Sequence, residues 1–311
     1  MYSTTIKRLR DSIDATLLPQ FTSRSCIFLD LPHYSNIGDT LITKGTQDFL
    51  KQHRISCQYT ASKDTFEYRK IASDTIIALQ GGGNFGDVWC QHQDFRKKII
   101  NLYPDNKIIV MPQTVFWQEE QNMLDDVAFF GQHLNVVICV RDKVSYDIMI
   151  KHFKNEILLV PDMAFYINTK DLQSYIKPTK KDALFIKRTD KEFKDNRYES
   201  YLPQEYDVHD WPTMERRYAE EKWHECIKYY LKIMRNTCLN LYYSYIYEPY
   251  LIRHGVQLIS EYNHIYSTRL HGAILSVLLG KPITIFDNSY GKNSSFVNTW
   301  LNDIPGINLI K

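Results

Sequence analysis

Six short apolar runs, each long enough for one strand and mostly separated by stretches of helical periodicity, set what the first half of this chain can fold into. They occupy residues 26–31, 55–59, 75–80, 107–111, 136–140 and 157–160. The intervening stretches 40–50, 89–102 and 143–153 repeat their apolar residues at the spacing of a helix face. Strands linked through helices run parallel, because each crossover returns the chain to the same end of the sheet. The expectation is a doubly wound α/β domain, one parallel sheet with helices on both faces.

From 166 to 182 the rhythm dissolves into polar residues around Pro178, which reads as a linker, and a second, smaller α/β unit follows. Its strands are expected at 183–187, 256–260, 265–267 and 283–286, with a helix at 270–279. Pro212 and Thr213 read as the start of a long helix whose Ile227, Tyr230, Leu231 and Met234 share its apolar face. A chain of 311 residues suits two domains. They are expected at 1–168 and 169–311, facing each other across a cleft, with the last helix free to pack back on the first domain.

Composition narrows the partners. Thirty-eight Lys and Arg against 36 Asp and Glu leave +2, so no global field grips a nucleic acid, and any basic surface is local. The longest apolar stretches, such as 273–279, fall far short of the ~20 residues of a bilayer-spanning helix. The first residues lack the apolar core of a signal peptide, so a cytoplasmic location is expected. Cysteines 26, 57, 90, 139, 226 and 238 are far apart, with no C-x-x-C and no histidine at ligand spacing. They read as reduced core residues, and no metal site is expected.

Polar, glycine-bearing loops follow several of the strands, at the sheet edge where parallel α/β folds bind ligands. In Gly81-Gly82-Gly83-Asn84-Phe85-Gly86-Asp87, residues Gly81, Gly83 and Gly86 satisfy G-x-G-x-x-G. A dinucleotide site also needs that motif after the first strand and an acid at the end of the next one, which here ends Val110-Met111-Pro112-Gln113. The dinucleotide reading therefore fails. Two readings remain: backbone N–H groups that approach an oxyanion or a sugar hydroxyl, or a tight turn. Asn36 and Asp39, after the first strand, are either helix-start residues or ligand contacts. Arg141 likewise either meets a ligand or pairs with Asp142 or a surface carboxylate.

The strongest constellation is Ser267-Thr268-Arg269-Leu270-His271-Gly272, where a strand hands over to a helix. A helix N-terminus favours an anion, and Arg269 adds a bidentate donor for phosphate or carboxylate. His271 lies within one turn of that anion and is a candidate general acid; the other nine histidines read as structural. The loop at 287–295 offers Lys292 to the same pocket or leaves it solvated. The absence of any D-x-D from the sequence speaks against a metal-dependent nucleotide-sugar site.

Together these loops resemble the polysaccharide pyruvyl transferase family. The resemblance runs through Asn36-Ile37-Gly38-Asp39, the 81–87 loop, Met111-Pro112-Gln113-Thr114, Arg141-Asp142-x-x-Ser145, Pro161-Asp162-Met163, Arg269-Leu270-His271 and the stretch from Asp287 to Lys292, from about His33 to Leu301. Thr114 departs from it, standing where a serine is expected. The resemblance implies two Rossmann-like domains in a GT-B-like arrangement, the first on the acceptor side and the second on the donor side. It also implies a phosphoenolpyruvate-dependent transferase that makes a pyruvate ketal on a sugar of a surface polysaccharide (capsule or exopolysaccharide) or its lipid-linked precursor. No further cofactor is expected. Arg269, Leu270 and His271 carry over as the donor-binding set, with Arg141 as a fourth member and Lys292 beside them. His271 would act as acid and Asp39 or Asp87 as base. The acceptor is expected at Asn36, Gly82, Gly83, Asn84 and Asp87. A GT-B glycosyltransferase using a nucleotide sugar and an inert carbohydrate-binding scaffold are the competing readings.

One compositional oddity remains. Aromatic residues make up 14% of the chain, with 22 tyrosines. Many lie between Tyr218 and Tyr266, beside Arg216, Arg217, Lys222, Lys228, Lys232 and Arg235. Most read as packing in a helical layer. The outward ones, with Lys7, Arg8 and Arg10, are expected to form a locally cationic face that rests on anionic headgroups as a peripheral membrane contact and receives a lipid-linked saccharide.

Overall fold

The structure is a computed structural model that describes residues 2–133, 135–189, 197–215, 219–288, 291–302 and 304–311. Arg216, Arg217, Tyr218, Ser289 and Tyr290 lie outside the described residues. The fold is mixed α/β with parallel sheets, in two compact units: Arg8–His33 with Ile42–Tyr166, and Met1–Lys7 with Tyr34–Leu41 and Ile167–Lys311.

The first unit holds strands β1 (Ser25–Leu29), β2 (Ser56–Ala61), β3 (Ile76–Leu79), β4 (Gly82–Gly86), β5 (Ile108–Phe116), β6 (Val136–Val140) and β7 (Glu156–Leu159). Their order is β2-β1-β3-β5-β6-β7, with β4 on the far half of β5, and every pairing is parallel. Helix α1 (Ser3–Leu17) precedes β1, and α2 (Ile37–Gln52), α3 (Cys90–Leu102), α4 (Glu120–Phe130) and α5 (Lys143–His152) supply the crossovers. Strands β3 and β6 are buried along their whole length, as near-continuous Ile, Val, Leu and Ala runs require.

The 81–87 stretch proves more structured than a turn, because Gly82–Gly86 forms a strand. Close packing selects two of its glycines. A Cβ on Gly81 would stand 2.7 Å from the Pro112 carbonyl oxygen, and one on Gly86, at φ +121°, only 1.9 Å from that of Phe116.

The second unit repeats the plan on a smaller scale. After α6 (Thr169–Gln173) come β8 (Lys181–Ile186), β9 (Asp207–His209), α7 (Ala219–Met234), α8 (Asn236–Tyr242), α9 (Glu248–Ser260), β10 (Tyr262–Ser267), α10 (Leu270–Leu278), β11 (Ile283–Phe286), α11 (Lys292–Trp300) and β12 (Ile307–Ile310). The parallel sheet runs β12-β11-β10-β8-β9.

Several expectations need correction. Residues 256–260 are the last turns of α9, because a short apolar run buried on one side reads alike for strand and helix. Pro212–Met214 is a 3₁₀ turn that ends at Glu215, and the Thr213 hydroxyl donates to the Ser35 carbonyl (2.8 Å) and starts no long helix. On α7, Tyr230 and Met234 face outward. Among the cysteines only Cys26 and Cys139 are buried; Cys57, Cys90 and Cys226 are exposed. Among the described residues no helix is long and apolar enough to cross a membrane.

Within the first unit the tightest joint is at Gly45 on α2, where an added Cβ would meet the Met163 carbonyl oxygen at 1.8 Å. Backbone cannot yield as a side-chain tip can. Gly45→Ala is expected to cost about 2 kcal/mol or more, in the overpacking range. Urea denaturation followed by circular dichroism checks this, and an unchanged midpoint would refute the packing argument.

Candidate functional site

In a doubly wound sheet the chain leaves its first strand in one direction and returns on the other side, and the loops beyond that switch point diverge to leave room for a ligand. In the second unit the switch lies between β8 and β10. Their carboxyl ends lead into Lys187-Arg188-Thr189 and Thr268-Arg269. Thr268 laces the two together: its backbone N–H and its hydroxyl donate to the Ile186 carbonyl (3.1 and 3.2 Å), while its hydroxyl accepts the Arg188 N–H at 2.9 Å.

Arg269 sits at the N-cap position of α10 with extended backbone. Its N–H donates to Ser267 Oγ (3.0 Å), and that hydroxyl donates to the Arg269 carbonyl (2.9 Å). Gly272 lets the helix start this close to the strand, since a Cβ there would lie 2.4 Å from Ser267 Oγ. The Arg269 guanidinium is buried and grips Asp210 through both Nε and Nη2, the latter at 2.7 Å from Oδ2. Asp210 is itself fixed by the Trp211 N–H (2.7 Å) and the Thr189 hydroxyl (3.3 Å). This pair orients the guanidinium plane before any ligand arrives.

His271 is buried in the first turn of α10. Against it lies Gly38, where a Cβ would stand 2.8 Å from His271 Nδ1. The Tyr34–Leu41 segment, read in the sequence with the first domain, thus joins His271 in the second unit. Asn36 caps it by accepting the Gly38 N–H (2.9 Å), and Asp39 Oδ2 accepts from Asn36 Nδ2 (2.8 Å) and the Tyr34 hydroxyl (2.9 Å). Leu270 is buried beside these groups. Lys292 is also buried, and its backbone N–H donates to Asn288 Oδ1 (2.7 Å) as α11 begins after Gly291 at φ +77°. Asn293 Nδ2 bridges the Thr268 and Phe286 carbonyls at 3.0 and 2.8 Å.

The other expected residues belong to the first unit. Arg141 is fully buried after β6, with Nη1 on Asp162 Oδ2 (2.6 Å) and Nε on Thr114 Oγ1 (3.0 Å). Thr114 in turn donates to Asp142 Oδ2 (2.9 Å), and Asp142 caps α5 through the Ser145 N–H (2.9 Å). Motif pieces separated in sequence are therefore one network. Gly82 is buried and Gly83 half-buried; Asn84 is held by Arg96 Nη2 (2.9 Å) and donates its N–H to Gln113 Oε1 (3.3 Å). Asp87 accepts from the N–H groups of Gln118 (2.8 Å) and Glu119 (3.0 Å) and from Asn122 Nδ2 (3.0 Å). Partial burial pushes its carboxyl up, but those hydrogen bonds outweigh burial and hold it below the usual carboxylate range.

Three groups escaped the sequence reading. Arg188 and Asp210 acquire meaning only when β8, β9 and β10 are adjacent. Asp30, in the left-handed region at φ +67° just past β1, is buried with both oxygens on His92 Nδ1 (2.8 and 3.0 Å). The signal available in the sequence was an acid set in the apolar run 26–31, at the end of the first strand. Among the described residues, no three His, Cys, Asp or Glu side chains gather as metal ligands.

The sequence model for polysaccharide pyruvyl transferases matches residues 36–290, from Asn36 through the Arg269–His271 turn. The chain belongs to the polysaccharide pyruvyl transferase family. It is 35% identical over 291 residues to a protein described as putative pyruvyl transferase EpsO of Bacillus subtilis strain 168, covering 92% of this chain and 88% of that one. Pyruvyl transferase 1 of Schizosaccharomyces pombe is 25% identical over 306 residues, covering 91% and 71%. The fold is shared with the crystal structure of an uncharacterized protein of Klebsiella pneumoniae, at a TM-score of 0.65 and 20% identity over 97% of this chain and 98% of that one.

Two measurements check the geometry. Asp210→Ala removes the carboxylate gripped by both Nε and Nη2 of the buried Arg269, which is expected to cost about 3–5 kcal/mol of stability; a loss below about 1 kcal/mol in denaturant would mean the pair is not buried as described. A depressed carboxyl stabilises above its unfolded pKa, and that contribution is lost as pH falls through the folded value. The Gln118 and Glu119 amide resonances are therefore expected to titrate together with a midpoint below 3.8, and a midpoint above it would contradict the clasp at Asp87.

Proposed function

We propose that this pyruvyl transferase uses phosphoenolpyruvate as donor and builds a pyruvate ketal on a sugar of a surface polysaccharide or its lipid-linked precursor, with its two Rossmann-like units in a GT-B-like arrangement around a cleft. The observation that carries the proposal is the turn into α10. A helix N-terminus, a guanidinium pre-oriented by Asp210 and a histidine occupy one turn of chain, at the switch point of a parallel sheet. Phosphoenolpyruvate presents a phosphate and a carboxylate, which a helix N-terminus and guanidinium groups complement.

In this proposal His271 delivers a proton to the methylene carbon of the donor. The resulting oxocarbenium-like C2 takes the first sugar hydroxyl. Phosphate leaves, and a second hydroxyl closes the ring. Two groups are candidates for the base. In favour of Asp39 is its place on the segment that touches His271. Asp87 is held as a carboxylate by three donors, which weakens it as a base. The arginine-held donor requires no divalent ion.

Thermal shift is the first test: phosphoenolpyruvate is expected to raise the melting temperature, and stabilisation by nucleotide sugars alone would replace this reading with a glycosyltransferase. His271→Ala is expected to slow acceptor-dependent phosphate release by on the order of a hundredfold or more, the range for loss of a general acid, with donor binding kept. Full activity would remove His271 from the chemistry. Arg269→Lys keeps a charge opposite Asp210 but loses the fork, and is expected to raise the donor KM first.

A further inference from the structure

Helix α7 leaves much of its apolar surface outside. Its packed side is mixed: Glu221 and His224 are buried beside half-buried Ile227 and Leu231, Glu221 receives the Tyr247 hydroxyl and stands 3.6 Å from Lys228 Nζ, and His224 meets the Tyr242 hydroxyl. Burial raises the Glu221 carboxyl, although Tyr247 and Lys228 oppose this. Its outward side is apolar. Trp223, Tyr230, Ile233 and Met234 fall at i, i+7, i+10 and i+11 and are 65%, 67%, 67% and 68% exposed, with Cys226 between them on the same face. A helix that used its apolar stripe for folding would turn these residues inward.

The following helical layer extends the face. Leu241, Tyr245 and Ile246 are 54%, 76% and 54% exposed, while Tyr242, Tyr243 and Tyr247 next to them in sequence are buried. Scattered exposed apolar residues are ordinary; a run of this size within 24 residues of chain is not. The composition points to its partner. Trp and Tyr carry an apolar body and a polar edge suited to a water–hydrocarbon boundary. Exposed Lys222 borders the stripe, and exposed Lys232 and Arg235 lie at the carboxyl end of the helix, with Glu225 as the one exposed acid on α7 among the described side chains. An interfacial helix has this pattern: an aromatic and aliphatic face with cations at its margins.

We propose that the outward face of α7, continued by Leu241, Tyr245 and Ile246, is a docking surface for an anionic lipid membrane, on which the protein lies as a peripheral, non-spanning guest. The aromatic and aliphatic side chains enter the headgroup layer, and Lys222, Lys232 and Arg235 meet lipid phosphates. The proposal goes beyond the pyruvyl-transfer reading and does not depend on it, because binding is read without substrate or turnover.

Flotation of the full chain with vesicles of equal phosphatidylglycerol and phosphatidylcholine tests it. The native protein is expected to float with these vesicles and to stay behind with phosphatidylcholine alone. The triple variant Trp223→Ser, Tyr230→Ser, Ile233→Ser is expected to lose flotation with its melting temperature unchanged, since the three side chains are exposed. The variant Lys222→Gln, Lys232→Gln, Arg235→Gln leaves the apolar stripe intact and is expected to weaken binding by on the order of tenfold or more. Brominated lipid is expected to quench the native fluorescence, and Trp223→Phe to remove that quenching. Failure of the native protein to float overturns the proposal, as does unimpaired flotation of the serine variant. A native dimer that the serine substitutions convert to monomer, without vesicle binding, overturns it in favour of a second copy of the chain.

Discussion

A guanidinium taken out of water is costly unless it is paired, and in both units an Arg–Asp pair stands at the carboxyl edge of the sheet. Arg141, after β6, pairs with Asp162 after β7, and Arg269, after β10, pairs with Asp210 after β9. Such pairs add little net stability, because the cost of desolvating two ions offsets most of their attraction, while removal of one partner is expensive. Their contribution is position. Each ties together two loops that would otherwise leave the sheet independently, and each fixes the plane of a five-donor group. Arg96 differs, because amide oxygens hold it. Burial pushes its guanidinium down to about 10 against the fields of Asp30 and Asp126, and its hydrogen bonds go to Gln93 and Asn84.

What was legible in the sequence was whatever depends on periodicity. Val136–Val140 and Ile283–Phe286 form strands with the expected ends, and α10 starts at the expected Leu270. The expectation failed where one short apolar run fits two periods, as at 256–260, and where tertiary pairing decides the partner. Asp210 lies 59 residues before Arg269, and no spacing rule links them. The glycines at 81 and 86 were visible as unusual, but the sequence could not say that the β5 backbone, 2.7 and 1.9 Å from their would-be Cβ atoms, is what requires them.

The tyrosine surplus divides by the same logic. Tyr242, Tyr243 and Tyr247 are buried with rings 5.1–6.4 Å apart, and Tyr247 finds Glu221 for its hydroxyl, so packing accounts for them. Tyr229, Tyr230 and Tyr245 have no such place. A helical wheel drawn on α7 puts its apolar residues together, and folding is assumed to bury them. That assumption failed because the buried side is held by polar contacts to the tyrosine cluster, which hydropathy does not register.

The segment Tyr34–Leu41 shows how a motif can belong to a different unit from the strand it follows. Sequence order attaches it to β1, yet three close contacts bind it to the carboxy-terminal half. Ser35 receives the Thr213 hydroxyl, Ile37 lies where a Cβ on Gly255 would come within 2.8 Å of it, and Gly38 leaves room for the His271 ring. A side chain at 38 would have to displace that imidazole or the helix that carries it. Glycine at the start of α2 is therefore a condition on the position of His271, and Asn36 and Asp39, which shape the same turn by hydrogen bonds, act on the histidine through it. The Asn-Ile-Gly-Asp stretch and the Arg-Leu-His stretch, more than two hundred residues apart, are parts of one constellation.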